Sequence, residues 1–213
     1  MEIESKAIIN EQQLRKLLTY RSFGPYQVSR VKDALVKYDA YYSLVNPVIR
    51  IRTEYAINSW YTDMLGSSYI EEAALDFFDL EKTFSPMCEN TYFTLKERYV
   101  DAQGVESNVE KETFVENAEA LEYFLESLNF KKCFEKTKRS ISFYVDTSER
   151  QLHLEIVRVN ASDIYLEIEC TDVDDKSESE QEAVKADIKK FFKDVLDIEE
   201  FESRSWLSLL TNG

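Results

Sequence analysis

The chain has 213 residues, long enough for one domain with a sizeable buried core. Its 44% hydrophobic and 13% aromatic content is globular, and only four glycines and three prolines exclude low-complexity or collagen-like sequence. A formal net charge of −15 argues against bulk binding to nucleic acid or an anionic membrane, but not against one small anion in a local cationic cavity.

The first element predicted is a strand over about residues 1–9, in which Glu2, Glu4 and Lys6 alternate with Ile3, Ser5 and Ala7. Side chains alternate faces along a strand, so the three ionisable groups share one face. Asn10 is placed to cap a helix whose apolar stripe is Leu14, Leu17 and Leu18. An extended stretch follows over Lys37–Val45, then a strand carrying Arg50 and Arg52. Residues 53–92 are acidic and aromatic and separate that strand from one carrying Thr94 and Lys96. Within them, Ser68 and Glu71 have the spacing of a capping box, which predicts a short helix to about Thr83: a structural flap, a partner-facing helix or a lid.

After a turn at Gly104 the pattern restarts. A strand over about 108–116 carries Glu110 and Glu112, and Asn117 caps a helix with Leu121, Phe124, Leu125 and Leu128 at helical spacing. Strands near 131–145, 150–159 and 163–171 carry Lys136 and Lys138, His153 and Glu155, and Glu167 and Glu169. Ser140, Ser142 and Tyr144 share the parity of Lys136. The charge run 172–182 predicts a solvated turn before a helix that packs Val184, Ile188, Phe191, Phe192 and Val195 into the core.

The order β-α-β-β-β therefore occurs twice, an internal duplication of about a hundred residues per half. The fold class expected is α+β: an eight-stranded antiparallel β-barrel with peripheral helices, closed so that no strand edge is left open. Any one i, i+2 charge doublet also fits a solvent-facing strand edge. That edge would mix signs, whereas here glutamate pairs and lysine or arginine pairs fall on different strands. Carboxylates on one side of a lumen and cations on the other suit a hard metal ion bridging to a polyphosphate. One histidine excludes a His-rich zinc site, so a hard ion held by oxygen, Mg²⁺, Mn²⁺ or Ca²⁺, is the expected metal. Three scattered cysteines, Cys88, Cys133 and Cys170, fit reduced thiols and a cytoplasmic location, and neither a membrane span nor a signal peptide is visible.

Together, Glu2-Ile3-Glu4-Ser5-Lys6, Asp39-Ala40-Tyr41-Tyr42, Arg50-Ile51-Arg52, Thr94-Leu95-Lys96, Lys136-Thr137-Lys138, Glu167-Ile168-Glu169 and the closing Arg204–Leu210 stretch resemble the CYTH superfamily of triphosphate tunnel metalloenzymes. The resemblance spans residues 1–213 as one tunnel domain, apart from the 53–92 insert. It implies an eight-stranded tunnel that binds a triphosphate end-on with Mg²⁺ or Mn²⁺. It implies metal ligation by Glu2, Glu4, Glu167 and Glu169, with Glu155 where members place an aspartate. Glu110 and Glu112, the middle glutamate pair, complete the candidate metal set. Lys6, Arg50, Arg52, Lys96 and some of Lys136, Lys138 and Arg139 would clamp phosphate oxygens. Lys6 and Tyr41 would act catalytically, in water activation. The chain departs from the family where many members have an arginine and it has Asn108, and where a Lys-x-Arg becomes Lys136-Thr137-Lys138. Lysine neutralises phosphate as a point charge without the two-pronged grip of arginine.

The expected function is metal-dependent hydrolysis of a triphosphate: inorganic tripolyphosphate, a nucleoside triphosphate or thiamine triphosphate. Class IV adenylyl cyclase chemistry would use the same residues, and a non-catalytic nucleotide or polyphosphate carrier is a third reading, motivated by Asn108 and the lysines. The expected partner is the small-molecule triphosphate, with no membrane or bulk nucleic-acid binding, and a monomer or homodimer. A structural hydrogen bond is the expected role of His153.

Overall fold

The computed structural model describes residues 2–19, 21–57, 77–79, 86–100, 105–171 and 177–211. In chain order the strands are β1 (Glu2–Ile8), β2 (Ser22–Phe23), β3 (Tyr26–Ser43), β4 (Val48–Ile57), β5 (Pro86–Val100), β6 (Glu106–Phe114), β7 (Phe134–Asp146), β8 (Gln151–Val159) and β9 (Ile164–Cys170). The helices are α1 (Glu11–Thr19), α2 (Ala118–Ser127), α3 (Glu178–Leu196) and α4 (Trp206–Thr211).

The strands form one antiparallel sheet in the order β2-β3-β4-β5-β6-β1-β9-β8-β7, and a β3–β7 pairing closes it on itself. The closed wall is thus the eight strands β3-β4-β5-β6-β1-β9-β8-β7, with the two-residue β2 appended outside. Gly24, at φ 64°, takes the positive-φ first position of the tight β2–β3 turn. The duplication is borne out as β1-α1-β3-β4-β5 followed by β6-α2-β7-β8-β9. The halves interlock, because β1 lies between β6 and β9 of the second half.

Strand parity decides what is inside and what is outside. Ile3 and Ala7 of β1, Leu166 and Ile168 of β9, Leu152, Leu154 and Ile156 of β8, and Ile141, Phe143 and Val145 of β7 all point away from the lumen and are buried. They meet Leu14, Leu17 and Leu18 of α1 and Val184, Ile188, Phe191 and Phe192 of α3, so the main core lies between barrel wall and helices. Each fully buried Phe or Leu there contributes about 1.5–3 kcal/mol. A smaller cluster of Tyr42, Ile49, Ile51 and Leu125 seats α2 on the opposite wall.

The helix starts follow their capping chemistry. Asn10 Oδ1 accepts from Gln13 N at 2.9 Å while Gln13 Oε1 accepts from Asn10 N at 2.8 Å, a reciprocal cap on α1. Asn117 Oδ1 accepts from Ala120 N at 2.9 Å to start α2. Ser177 and Glu180 form a capping box on α3, so the end of the 172–182 charge run is the first turn of a helix and not a solvated turn. Residues 172–176 lie outside the described residues.

Two further expectations change. The extended stretch over Lys37–Val45 is the second half of a strand that begins at Tyr26. The 53–92 insert is shorter than expected, since β4 runs on to Ile57 and β5 starts at Pro86. The helix expected over about 68–83 falls mostly outside the described residues. Its described part, Phe77–Asp79, packs on the outer wall: Phe77 and Phe78 are buried in the main core, and their carbonyls accept from Arg139 and Arg158. The lid reading has no support from these three residues. Among the described residues no helix is long and apolar enough to cross a membrane. Cys133 and Cys170 are free thiols.

Candidate active site in the barrel lumen

The lumen is a cavity of about 800 Å³ with eight cationic side chains and nine glutamates on its wall, a volume in the ~300–1,000 Å³ range of small-molecule sites. The signs are sorted around the circumference. Lys136 and Lys138 (β7), Lys37 (β3), Arg50 and Arg52 (β4) and Lys96 and Arg98 (β5) line four consecutive strands. Glu106, Glu110 and Glu112 (β6), Glu2 and Glu4 (β1), Glu167 and Glu169 (β9) and Glu155 (β8) line the other four. Lys6 in the acidic half and Glu54 in the basic half are the exceptions.

The basic half is organised by Asp39, whose side chain is fully buried. Its carboxylate accepts from Arg52 Nε at 2.6 Å and Nη2 at 2.9 Å. It also lies 3.4 Å from Lys136 Nζ, 3.9 Å from Arg50 Nη1 and 3.4 Å from the Tyr41 hydroxyl, which donates to it. Burial pushes this carboxyl upward, but Arg52, Arg50 and Lys136 together outweigh it and hold Asp39 well below the usual carboxylate range. Two guanidinium groups and one ammonium are thereby fixed in place before any ligand arrives. Lys136 Nζ stands over the rings of Tyr41 (5.6 Å) and Trp206 (5.8 Å), adding cation–π contacts to its setting.

At the seam between β7 and β8, Lys138 bonds both Glu155 and Glu167, and Lys37 Nζ reaches Glu155 at 2.5 Å. Burial lowers Lys37, whereas for Lys138 the pull of Glu155 and Glu167 overcomes burial and raises it. The same lysines hold Glu155 well below its ordinary value against the opposing effect of burial. Glu167 accepts a 2.7 Å bond from Trp206 Nε1, which brings α4 to the lumen wall.

In the acidic half, Glu2, Glu4 and Glu169 have carboxylate oxygens within 4.8 Å of one another. Burial raises Glu2 and raises Glu4 further, with Lys96 only partly offsetting it, and Glu4 also shares a hydrogen bond with Glu106. Asn108 is fully buried opposite Glu2, and its Nδ2 donates to Glu2 Oε1 at 3.2 Å and Glu4 Oε1 at 3.1 Å. His153 Nδ1 lies 2.6 Å from Glu169 Oε1. Asn108 Oδ1 and His153 Nε2 are buried with no hydrogen-bond partner among the described residues. Three crowded carboxylates with one ammonium among them, that of Lys96, beside an unspent amide oxygen, are a donor set that fits a hard divalent cation.

All the site residues expected from sequence line the cavity except Arg139. Its odd position on β7 sends the side chain to the outer wall, where Nη1 donates to Phe77 O at 2.8 Å and also to Asp79 O. Arg139 therefore lies outside the cavity, and the β7 cations that line it are Lys136 and Lys138. Ser140 and Ser142 share their parity and are buried, but neither they nor Tyr144 line the cavity. Of the seven glutamates expected as metal ligands, Glu110, Glu112, Glu155 and Glu167 stand apart from the three-carboxylate group. Glu110 pairs with Lys96 at 2.9 Å, and Glu112 accepts from Thr94 Oγ1 at 2.9 Å and lies 3.6 Å from Arg50. The hydrogen bond expected of His153 is present, and its partner is Glu169 of the carboxylate cluster.

Sequence reasoning missed Lys37, Asp39 as an organiser, Glu54, Arg98, Glu106 and Trp206. Arg98 binds Glu106 through two nitrogens, and Lys6 Nζ lies 3.1 Å from the same carboxylate. The signal was present as longer runs of one parity: Lys37-Asp39-Tyr41, Arg50-Arg52-Glu54, Lys96-Arg98 and Glu106-Asn108-Glu110-Glu112.

No family model matches the chain, and no curated protein matches it. Solved structures do match over nearly their whole lengths. The PH1819 protein of Pyrococcus horikoshii OT3 is 17% identical with a TM-score of 0.67, covering 100% of this chain and 99% of that one. The Hippeastrum protein HpAC1, named for adenylyl cyclase and described with a dominant triphosphatase activity, is 15% identical with a TM-score of 0.54, covering 100% and 96%. An adenylate cyclase candidate from Vibrio parahaemolyticus is 8% identical with a TM-score of 0.53, covering 99% and 97%. The chain shares with these structures the fold of a closed eight-stranded antiparallel tunnel.

Proposed function

We propose that this triphosphate-tunnel chain is a divalent-metal-dependent triphosphatase that releases the terminal phosphoryl group of a triphosphate held lengthwise in the lumen. The observation that carries the reading is the sorting of charge into two contiguous half-walls of a closed barrel. A triphosphate with about four negative charges needs convergent cations, and a unit pair at ~4 Å is worth about 4 kcal/mol at an effective dielectric of ~20. The triphosphatase activity described for the Hippeastrum fold neighbour agrees with it.

Arg50 and Arg52, oriented by Asp39, offer planar two-pronged donors to phosphate oxygens, and Lys96, Lys136 and Lys138 add point charges. Phosphoryl transfer asks mainly for such positioning and for charge stabilisation at the equatorial oxygens. Glu2, Glu4 and Glu169 would hold the Mg²⁺ or Mn²⁺, which supplies Lewis acidity and the positive charge that lets carboxylates and phosphates share one lumen. Lys6, whose Nζ lies 3.1 Å from Glu106 on the lumen wall, would orient the attacking water and set a positive charge beside the phosphate. Tyr41 and Trp206 wall the space around Lys136 and limit water there.

Incubation with tripolyphosphate, ATP and thiamine triphosphate under Mg²⁺ and Mn²⁺ tests the reaction. Free orthophosphate that disappears with excess EDTA and in Glu4→Gln is the expected result. Cyclic AMP with pyrophosphate would replace the hydrolase by a cyclase, and calorimetric binding without product would leave a carrier.

A further inference from the structure

Lys96 is the described lumen cation that pairs with two members of the three-carboxylate cluster. It stands on β5, the strand where the basic half-wall meets the acidic one, with β4 on one side and β6 on the other. Its ammonium does not face the basic half. It lies 2.9 Å from Glu2 Oε1, 2.9 Å from Glu110 Oε1 and 3.6 Å from Glu4 Oε1. Among the described residues it is the only cationic side chain within 4 Å of Glu2 or Glu4, two of the three clustered carboxylates. The arginines next to it have no such freedom, because Arg52 is clamped by Asp39 and Arg50 is bonded to Thr94 Oγ1 at 3.1 Å. A lysine is a point charge on a four-carbon stem, and it can change partners without breaking a planar fork.

We infer that Lys96 is the resident counter-cation of the carboxylate cluster, and that an incoming divalent ion displaces its ammonium across the β5 seam onto the phosphate. The inference rests on the triphosphate reading and adds a coupling to it. A divalent ion entering an empty lumen must expel the ammonium from Glu2 and Glu4 and leave it paired with Glu110 alone. With phosphate oxygens present on the Arg50 side, the expelled ammonium has an acceptor waiting. Metal and phosphate therefore bind with positive coupling, and each must strengthen the other by the same factor. The free protein holds divalent ions weakly by construction, because its own side chain competes for the site.

The test measures Mn²⁺ binding directly, from the electron paramagnetic resonance of free Mn²⁺, on the full chain with no triphosphate present. Lys96→Gln keeps a similar length and polarity and removes the competing charge. It should bind Mn²⁺ at least ~10-fold more tightly than the wild type, the span of an ordinary coupling between sites. Millimolar orthophosphate should tighten Mn²⁺ binding more in the wild type than in Lys96→Gln. Lys96→Met, matched in thermal unfolding to the wild type, repeats the measurement should the glutamine variant fold poorly. Equal or weaker Mn²⁺ binding in both variants overturns the exchange, as does an equal effect of orthophosphate on variant and wild type. If that occurs in a protein that still hydrolyses tripolyphosphate with Mn²⁺, the triphosphatase reading stands and only the role of Lys96 falls. Absence of Mn²⁺ binding in every form overturns both.

Discussion

Replacing Asp39 by Asn removes one negative charge from the point where Arg52, Arg50 and Lys136 converge, and the geometry fixes what that does. The carboxylate has no solvent exposure, and those three side chains are 13%, 10% and 5% exposed, so water cannot take its place. At ~4 Å and an effective dielectric of ~20 each pairing is worth about 4 kcal/mol gross. The net loss on truncating a buried ion pair is about 3–5 kcal/mol, because the partners are left uncompensated. For a chain of this size that is roughly 6–20 °C in melting temperature, at ~2–4 °C per kcal/mol. An anion in the lumen restores the missing countercharge, so tripolyphosphate should stabilise Asp39→Asn more than the wild type. Ligand at about 100 times its dissociation constant adds about 2.7 kcal/mol, so the difference is readable in a thermal scan. A variant within about 1 kcal/mol of wild type, or equal rescue of both proteins, would refute the view of Asp39 as the organiser of the phosphate-binding cations.

Acid should unfold the protein through the same ion pairs. Asp39 and Glu155 are held well below their ordinary values of 3.8 and 4.5, so they stabilise the fold above those values and that contribution drains away as pH falls through the folded ones. Glu2 and Glu4, raised by burial, act with the opposite sign and favour the fold at the acid end. Urea midpoints should therefore drop below about pH 5, and less steeply in Glu155→Gln; a flat profile down to about pH 3 contradicts the assignment. Trp206→Phe keeps the ring but deletes the 2.7 Å bond to Glu167, a charged hydrogen bond worth about 1.5–3 kcal/mol in chemical denaturation; a loss under ~0.5 kcal/mol would show α4 to be loosely held. Phe191→Ala in the fully buried outer core should cost about 3–5 kcal/mol, and an effect below ~1 kcal/mol would mean that α3 is not the cap of the barrel wall.

The barrel was legible because charge alternation leaves a period-two trace that survives without a homologue. Glu2-Glu4-Lys6, Arg50-Arg52 and Glu167-Glu169 all point into the lumen, and the intervening apolar residues all point out. The same rule shows why Arg139 was misplaced: it follows Lys138 directly and so must face the other way. The first half of β3 left no clean trace, since its pairing with β7 shifts register between Val28 and Arg30 and again between Val31 and Ala34. Irregularities of that kind break the alternation on which strand reading depends. Asp39 was visible as a letter but not as a hub, because its meaning lies in three cations contributed by two other strands. The seating of Trp206 against Glu167 is likewise a tertiary contact with no local signature.

The interlocking of the two repeats governs when the molecule can assemble. Ile3 sits opposite Ser107 on one side and Cys170 on the other, and the wall seals only when β3 meets β7. A nascent polypeptide emerging from the ribosome therefore holds β1 without either neighbour until β6 has been made, and without its second neighbour until β9 follows. Such distant pairings make for slow acquisition of structure and a prolonged window in which unpaired edges are vulnerable. The like charges gathered on β4, β5 and β7 repel one another throughout that wait.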